Sequence, residues 1–318
     1  MQAIRVHEFG GPEVLRLEEL PDPHPAAGQV RVRVEAAGVN PVDTYVRAGM
    51  YGPRPFPFIA GFDGAGVVDE VGPDVASLRV GDRVYFTMVP SYATSVVAPA
   101  SAVWPLPSRL DFAQGAAIGI PYATALKAVH FVGRLQPGDW VLVHGASGAV
   151  GTAALQLGAA AGLRMVATAS TEAGRSLALA LGAECALGHD DLEEALARTH
   201  GHGFDAVIEL AAHLNLGRDL GILAHGGQVV VVGSRGPVEI DARRLMNVGG
   251  AIRALSIVYT TPEERERLHL GLAPGLRSGV LTPVVGRTLP LAQAAEAHRL
   301  VMAGGSLGKL VLLTGAGD

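Results

Sequence analysis

Apolar and polar positions follow two different rhythms along this chain, and the change falls near residue 111. Before it, period-two alternation dominates. Residues 29–37 (QVRVRVEAA) put Val30, Val32 and Val34 on one face and Arg31, Arg33 and Glu35 on the other, the pattern of a half-buried strand. Residues 3–9 and 15–20 flank Gly10-Gly11-Pro12 as the arms of a hairpin flank its turn. After the turn Gly38-Val39-Asn40-Pro41, residues 42–48 predict a short helix. Residues 61–71 are strand-like with interior glycines, which predicts a bent or closely packed strand. Residues 80–86 and 92–97 add two more. Many short strands between Pro/Gly turns predict a partly closed β-domain.

Beyond residue 111 the period lengthens. Residues 111–118 and 124–132 predict short helices, the first with a cap. Then strand and helix alternate: strand 141–144, helix 150–161, strand 164–169, helix 173–181, strand 186–187, helix 191–199, strand 206–209, helix 215–223, strand 228–232. Such a repeat implies a parallel sheet covered on both faces. The run from 141 to 258 is long enough for a six-stranded doubly wound domain. Residues 262–318 return to mixed helix and strand and contain a final apolar strand at 310–313. The fold class is α/β.

One stretch organises this pattern. Residues 139–162 read DWVLVHGASGAVGTAALQLGAAAG, an apolar strand entering a turn at Gly145, Gly148 and Gly151 and leaving as an Ala/Leu/Gln helix. A glycine turn that opens a helix is a ready anion site, because backbone N–H groups and the helix dipole face the same point. The dinucleotide spacing G-x-G-x-x-G would need glycine at 146, where Ala stands, so the turn alone implies only an anion. The lack of charge over residues 140–163 invites a membrane-span reading. The glycines and the switch from Trp/Val/Leu to Ala/Gln exclude it in favour of strand, loop and buried helix.

Composition narrows the classes. The 318 residues suffice for two domains with an ample core. A formal net charge of −5 gives no support to nucleic-acid or anionic-membrane binding. With one cysteine, Cys185, neither an internal disulfide nor a four-cysteine zinc site is available. A cytoplasmic protein is expected, and the N-terminal residues carry no apolar signal-peptide core.

Co-linear segments carry a family likeness. They are Gly38 to Tyr45 (GVNPVDTY), Arg47 to Tyr51 (RAGMY), Ile118-Gly119-Ile120-Pro121-Tyr122 with Thr124 and Ala125, and Val143 to Gly148 (VHGASG). Leu223 with His225-Gly226-Gly227, Val230 to Gly236 (VVVGSRG), Ala297-His298 and Gly308-Lys309 complete the set. Nearly end to end, the chain resembles the zinc-free medium-chain dehydrogenase/reductases, above all the NADPH:quinone oxidoreductases of zeta-crystallin type. The resemblance implies a GroES-like β-rich catalytic domain at 1–116 and 259–318, with a Rossmann NADP-binding domain inserted at 117–258. It also implies NADPH as cofactor, a quinone substrate and a homodimer or homotetramer, with residues 251–259 as the candidate edge strand for pairing.

It further implies site residues. Ser147, Gly148, Ala149 and Val150 would cradle the pyrophosphate, and Asn215 would sit near adenine or ribose. Val232, Gly233, Ser234 and Arg235, with Leu255, Ser256 and Ile257, would hold the nicotinamide half. Tyr45 and Thr124 would lie nearby. Leu255 and Ile257 are equally accounted for as sheet core, and Thr124 as a helix cap. Asn40, Tyr45 and Tyr51 are the polar groups of the family's substrate loop. Asn40 and Tyr45 are read as donors to the developing quinone oxygen, and Tyr51 as a lining residue or an aromatic packed under Phe56 or Phe58.

Local chemistry separates the cofactors. NAD enzymes place an acid at the end of the second Rossmann strand for the ribose 2′-OH. Here Ser170-Thr171 stands there, with Glu172 following and Arg175 one turn on. Hydroxyls plus Arg suit a 2′-phosphate, which Arg can grip bidentately. His189 matches a family position in the same pocket. No metal is expected: zinc-dependent relatives carry Gly-His-Glu where this chain has Gly61-Phe62-Asp63, and a Cys near Asn40. His200-Gly201-His202 reads as a surface loop. The rival readings are an enone or alkenal double-bond reductase, an NADPH-binding structural or RNA-binding protein of the same likeness, and a serine hydrolase built on the near-match Gly145-Ala146-Ser147-Gly148-Ala149 to G-x-S-x-G. A P-loop at Gly308-Lys309 fails, because Leu310 replaces the required hydroxyl.

Overall fold

The computed structural model describes residues 1–315; the last three residues of the third expected segment lie outside the described residues. The chain divides into two compact units. The first comprises Met1–Ile120, Pro262–Arg277 and the chain from Thr282 onward; the second comprises Pro121–Thr261 and Ser278–Leu281.

The first unit begins with strands β1 (Gln2–Val6) and β2 (Leu15–Glu19), which pair antiparallel around a short 3-10 turn at Pro12–Val14. β3 (Gln29–Val39) follows, then helix α1 (Pro41–Arg47), β4 (Phe58–Ile59), β5 (Asp63–Val71), β6 (Arg83–Thr87), β7 (Ser95–Pro99) and β8 (Val103–Pro105). The alternation read in β3 is realised: Val30, Val32 and Val34 are buried beside Val68, Val84 and Phe86. Burial then becomes continuous from Ala36 to Asn40. The glycines of β5 answer a packing demand. A Cβ on Gly66 would stand 2.0 Å from Arg33 O, so β3 and β5 approach this closely only because Gly66 has no side chain.

Helices α2 (Phe112–Ala116) and α3 (Gly119–Leu126) lead out of this unit. Asp111 caps α2, accepting from Gln114 N at 2.7 Å. The expected helix over 124–132 is instead the end of α3 followed by a π-helical turn at Lys127–Val132. The second unit then alternates β9 (Trp140–Val143), α4 (Ala149–Ala160), β10 (Arg164–Thr168), α5 (Glu172–Ala180), β11 (Cys185–Leu187), α6 (Leu192–Arg198), β12 (Phe204–Glu209), α7 (Ala212–Asp219), β13 (Leu223–Val231), α8 (Ala242–Val248) and β14 (Ala251–Ala254). All strand pairs are parallel, in the order β11-β10-β9-β12-β13-β14. That is the doubly wound order whose switch point lies between β9 and β12. α7 begins and ends earlier than the pattern predicts, because Asp219 and Leu220 are drawn into the interior and β13 starts already at Leu223. The chain re-enters the first unit through α9 (Pro262–Ser278), then β15 (Val285–Pro290), α10 (Ala294–Ala303) and β16 (Lys309–Leu313). β16 pairs antiparallel with β3 and parallel with β15, which closes the order β15-β16-β3-β5-β6-β8 with β7 also on β3.

Candidate functional site

Each unit carries its own polar centre. In the Rossmann unit β9 ends at Val143 and the chain turns through Gly145, whose φ of 64° is the left-handed region that glycine tolerates. Gly148 is the N-cap of α4, and neither a capping side chain nor an acid in the first turn covers that end. The leading N–H groups of α4 therefore lack side-chain partners, and the dipole is not offset. Gly151 seats the helix on the turn: a Cβ there would meet Gly145 O at 2.5 Å and Ala146 Cα at 2.6 Å. The cradle fits a pyrophosphate. Ser147, Gly148, Ala149 and Val150 are all partly accessible along it.

The other expected cofactor residues follow the strand ends. Ser170 is exposed after β10, and Thr171 caps α5 by accepting from Gly174 N at 3.1 Å. Arg175, in the first turn of α5, donates to Ala169 O at 3.2 Å, which keeps its guanidinium at the strand end. Asn215 on α7 is buried and donates to Glu209 Oε1 at 3.4 Å. The loop after β13 is pinned to β12, since Val232 N donates to Glu209 O at 2.8 Å and Ala212 N to Gly233 O at 2.9 Å. Ser234 and Arg235 are exposed, whereas Leu255, Ser256 and Ile257, past β14, are half-buried. Thr124 lies inside α3 rather than at its start, so it caps nothing, and its buried Oγ1 has no hydrogen-bond partner.

Beneath these residues lies a buried polar cluster. His144 Nδ1 is 2.8 Å from Thr168 Oγ1, and Thr168 Oγ1 is 2.9 Å from His189 Nδ1. His144 Nε2 is 3.0 Å from Asp219 Oδ1 and 3.9 Å from Glu209 Oε2. Burial pushes the Glu209 carboxyl above the usual range, with the Asp219 charge adding to it and His144 opposing. Burial raises Asp219 too, against a hydrogen bond from Glu209 and the charge of Arg218. Burial holds the His144 imidazole below its ordinary value. With both ring nitrogens of His144 occupied, the histidine nearest Ser147 in sequence is not available as the base of a hydrolase.

The first unit's centre is the Asn40 turn. Asn40 N donates to Asp43 Oδ2 at 2.8 Å and its Nδ2 to Asp63 Oδ2 at 2.9 Å. The Lys309 ammonium donates to Asn40 Oδ1 and, at 3.3 Å, to Asp63 Oδ2. Asp63 Oδ1 accepts from Thr87 Oγ1 at 2.7 Å and Ile120 N at 3.0 Å. Asn40 is thus only 3% exposed, and both ends of its amide are held by buried charges. A second chain supports α1. Arg47, which can only donate, bonds His298 Nδ1 at 3.0 Å; His298 Nε2–H then faces Tyr92 at 3.2 Å, and the Tyr92 hydroxyl donates to Asp43 Oδ2 at 2.9 Å. Burial, then the Arg47 charge, drives His298 down to about 3, and burial above all lifts Asp43 to about 7. On this base Tyr45 stands half-buried on α1, and Tyr51 is 38% exposed in the turn beyond it.

Sequence reasoning did not single out Asp43, Asp63, His144, Thr168, Glu209 or Asp219. Their signal was a polar residue at the edge of an apolar run, as at His144 after WVLV and Glu209 after FDAVI. The donor set at the Gly61-Phe62-Asp63 position does not fit a catalytic zinc: Phe62 offers no ligand atom, Asp63 is committed to Lys309, and Cys185 lies in β11 of the other unit. The exposed His202 bonds Asp205 at 3.2 Å.

Comparison with known proteins gives the family. Residues 26–108 match the alcohol dehydrogenase GroES-like domain, and residues 181–312 match the zinc-binding dehydrogenase domain. The chain is 43% identical to a quinone oxidoreductase of Sus scrofa over 98% of each chain, and 32% identical to a 2-haloacrylate reductase of Burkholderia over 98% of this chain and 99% of that protein. Among solved structures, the quinone oxidoreductase of Thermus thermophilus, studied also as its NADPH complex, superposes with a TM-score of 0.86 at 34% identity, covering 99% of this chain and all of that one. With the glycine cradle on a doubly wound sheet, a GroES-like unit and full-length identity of this degree, the chain belongs to the zeta-crystallin-like quinone oxidoreductase family of medium-chain dehydrogenase/reductases.

Proposed function

We propose that this protein is an NADPH-dependent quinone reductase that works without a metal. The observation that carries the reading is the uncapped, acid-free N-terminus of α4 behind the Gly145 turn, a built site for a pyrophosphate. When bound, NADPH supplies a hydride to an acceptor held against the nicotinamide face.

The chain's own groups bind, orient and exclude water. Ser147, Gly148, Ala149 and Val150 hold the pyrophosphate through backbone N–H groups. Ser170, Arg175 and His189 favour a 2′-phosphate, and Asn215 meets the adenosine side. Val232, Gly233, Ser234 and Arg235, with Leu255, Ser256, Ile257, Tyr45 and Thr124, serve the nicotinamide half. Thr124 Oγ1, buried without a partner, is the polar atom in that set that still needs one. Tyr45 and Tyr51 stand accessible on the α1 segment and are read as donors and lining for the acceptor. Asn40, gripped by Asp63 and Lys309, acts mainly by setting the turn that carries Tyr45, with its second amide hydrogen as the remaining donor.

The protein works as a cytoplasmic homodimer or homotetramer in this reading. Among the described residues no helix is long and apolar enough to cross a membrane. Among the described residues β14 pairs only with β13 and ends the sheet, and the exposed Met246 and Tyr259 stand before and after it in the chain. Reduction of activated double bonds is the second reading, favoured by the likeness to a 2-haloacrylate reductase. NADPH oxidation measured with a quinone panel beside an enone panel tests both. Faster turnover of quinones supports the first, faster turnover of enones the second, and no oxidation with either overturns a catalytic role.

A further inference from the structure

Five polar side chains meet across the carboxyl ends of the Rossmann strands: His144 after β9, Thr168 ending β10, His189 after β11, Glu209 ending β12, and Asp219 ending α7. Thr168, Glu209 and Asp219 are wholly buried. The chemistry of the groups assigns a direction to the chain they form. A carboxylate only accepts, so His144 Nε2 donates to Asp219 Oδ1 at 3.0 Å. The neutral His144 ring is then bare at Nδ1 and accepts from the Thr168 hydroxyl at 2.8 Å. With its proton directed there, Thr168 Oγ1 accepts from His189 Nδ1–H at 2.9 Å. His189 is therefore held as one tautomer. Its Nε2 is the ring atom of this chain that can take a proton without breaking a bond of the chain.

The far end fixes the sense of the chain. Glu209 Oε2 and Asp219 Oδ2 are both buried without a donor, and two such carboxyl groups in contact keep one proton between them. It resides on Glu209, whose Oε1 still accepts from Ala211 N and Asn215 Nδ2, so Asp219 stays an anion toward His144.

We propose that this relay makes His189 a proton-binding clamp for the 2′-phosphate of NADPH, with Thr168, His144 and Asp219 as its positioning residues. The inference rests on the reading that the Rossmann unit binds NADPH. In the free protein burial, then the neighbouring His144, keeps the His189 imidazole below its ordinary value; Arg218 acts the same way and Asp190 opposes. These are the charged groups that face it: His144 from the end of β9, Arg218 from α7, which donates to His189 O at 3.0 Å, and Asp190 from its own loop. Arg175 donates to Ala169 O just past the end of β10. The ring is thus neutral near pH 7. A phosphate dianion beside Nε2 favours the imidazolium, so binding NADPH takes up a proton from the buffer. NADH presents a hydroxyl there, which needs no cation and binds without uptake.

Calorimetric titration of the full chain with NADPH and with NADH, at pH ~7 in buffers of different ionisation enthalpy, counts the protons. Uptake approaching about one proton with NADPH and near none with NADH is expected, and His189→Gln removes it. Thr168→Val keeps the volume and deletes the hydroxyl. It should weaken NADPH about tenfold while NADH changes less than about threefold, and Thr168→Ser should restore NADPH. Equal loss for both nucleotides, or uptake that survives His189→Gln, overturns the proposal. So does one equivalent of divalent metal in the purified protein, seated among His144, Glu209 and Asp219, whose ligand atoms lie within 4.8 Å of one another. A metal would need His144 Nε2 bare, which reverses the relay. NADPH failing to bind the unmodified protein overturns the cofactor reading itself, a result distinct from NADPH binding without proton uptake, which overturns this inference alone.

Discussion

Lys309 shows how one side chain can hold a functional loop from far away in sequence. Its ammonium lies 269 positions from Asn40, is about 1% exposed, and is the charge that balances Asp63. Burial lowers its pKa, with the charges of Asp63 and Asp43 opposing. Removing one partner of a buried pair leaves the other uncompensated, at about 3–5 kcal/mol. Lys309→Met should lower stability by that order in urea unfolding, and Asp63→Asn together with Lys309→Met should recover part of it. Asn40→Ala loses bonds to two buried charges, so it should cost stability by roughly 1–3 kcal/mol as well as slowing quinone reduction. Tyr45→Phe, which removes only an accessible hydroxyl, should slow reduction with an unchanged melting temperature. If Tyr45→Phe and Asn40→Ala both leave quinone reduction as it was, their part in the reaction is refuted.

At the scale of elements, the β9–turn–α4 unit separates two uses of glycine. Gly151 has no room for a Cβ, with Gly145 O at 2.5 Å, whereas a Cβ on Gly148 would meet only Gly145 O at 3.5 Å, an ordinary contact at φ −78°. Gly151→Ala should therefore shift the turn, lower the melting temperature and abolish NADPH binding by fluorescence titration. Gly148→Ala should keep the fold and weaken binding alone, because it adds a methyl only at the helix mouth. β14 offers a second test. If the sheet edge pairs two subunits, placing charges beside it with Met246→Asp and Tyr259→Asp should shift the mass measured by light scattering to that of one chain. An unchanged oligomer would place the interface elsewhere.

For the whole molecule, buried titrating groups set opposing slopes of stability with pH. Burial above all lowers His269 and His298 to about 3, so the folded state keeps them neutral where the unfolded chain protonates them. Their contribution is present above the ordinary value near 6.5 and is lost as pH falls toward 3. Asp43 runs the other way. Raised to about 7 mainly by burial, it stays protonated in the fold, and its contribution is full below the ordinary carboxylate value and lost as pH rises to about 7. The histidine limb should therefore fall as pH drops from about 6.5 toward 3, while the Asp43 limb opposes it, declining as pH rises from about 4 to about 7. In thermal melts across pH, His298→Gln should flatten the acid limb, and Asp43→Asn the neutral one. An unaltered profile in both would contradict the buried, neutral states assigned here.

Much of this was legible along the chain. The period-two run in β3, the β-α alternation after residue 140 and the glycine turn determine the fold class, because burying one strand face or both leaves a local signature in neighbouring residues. The absence of ligand residues at Phe62 and of further cysteines is likewise a property of the sequence alone. What only the tertiary structure decided is which polar residues meet. Lys309 joins Asn40 across 269 positions, and Asp219 joins His144 across 75. Such pairs have no period and no fixed spacing. Each is selected because a buried charge or lone pair must find its partner wherever the fold brings one, and that demand arises only once water has been excluded.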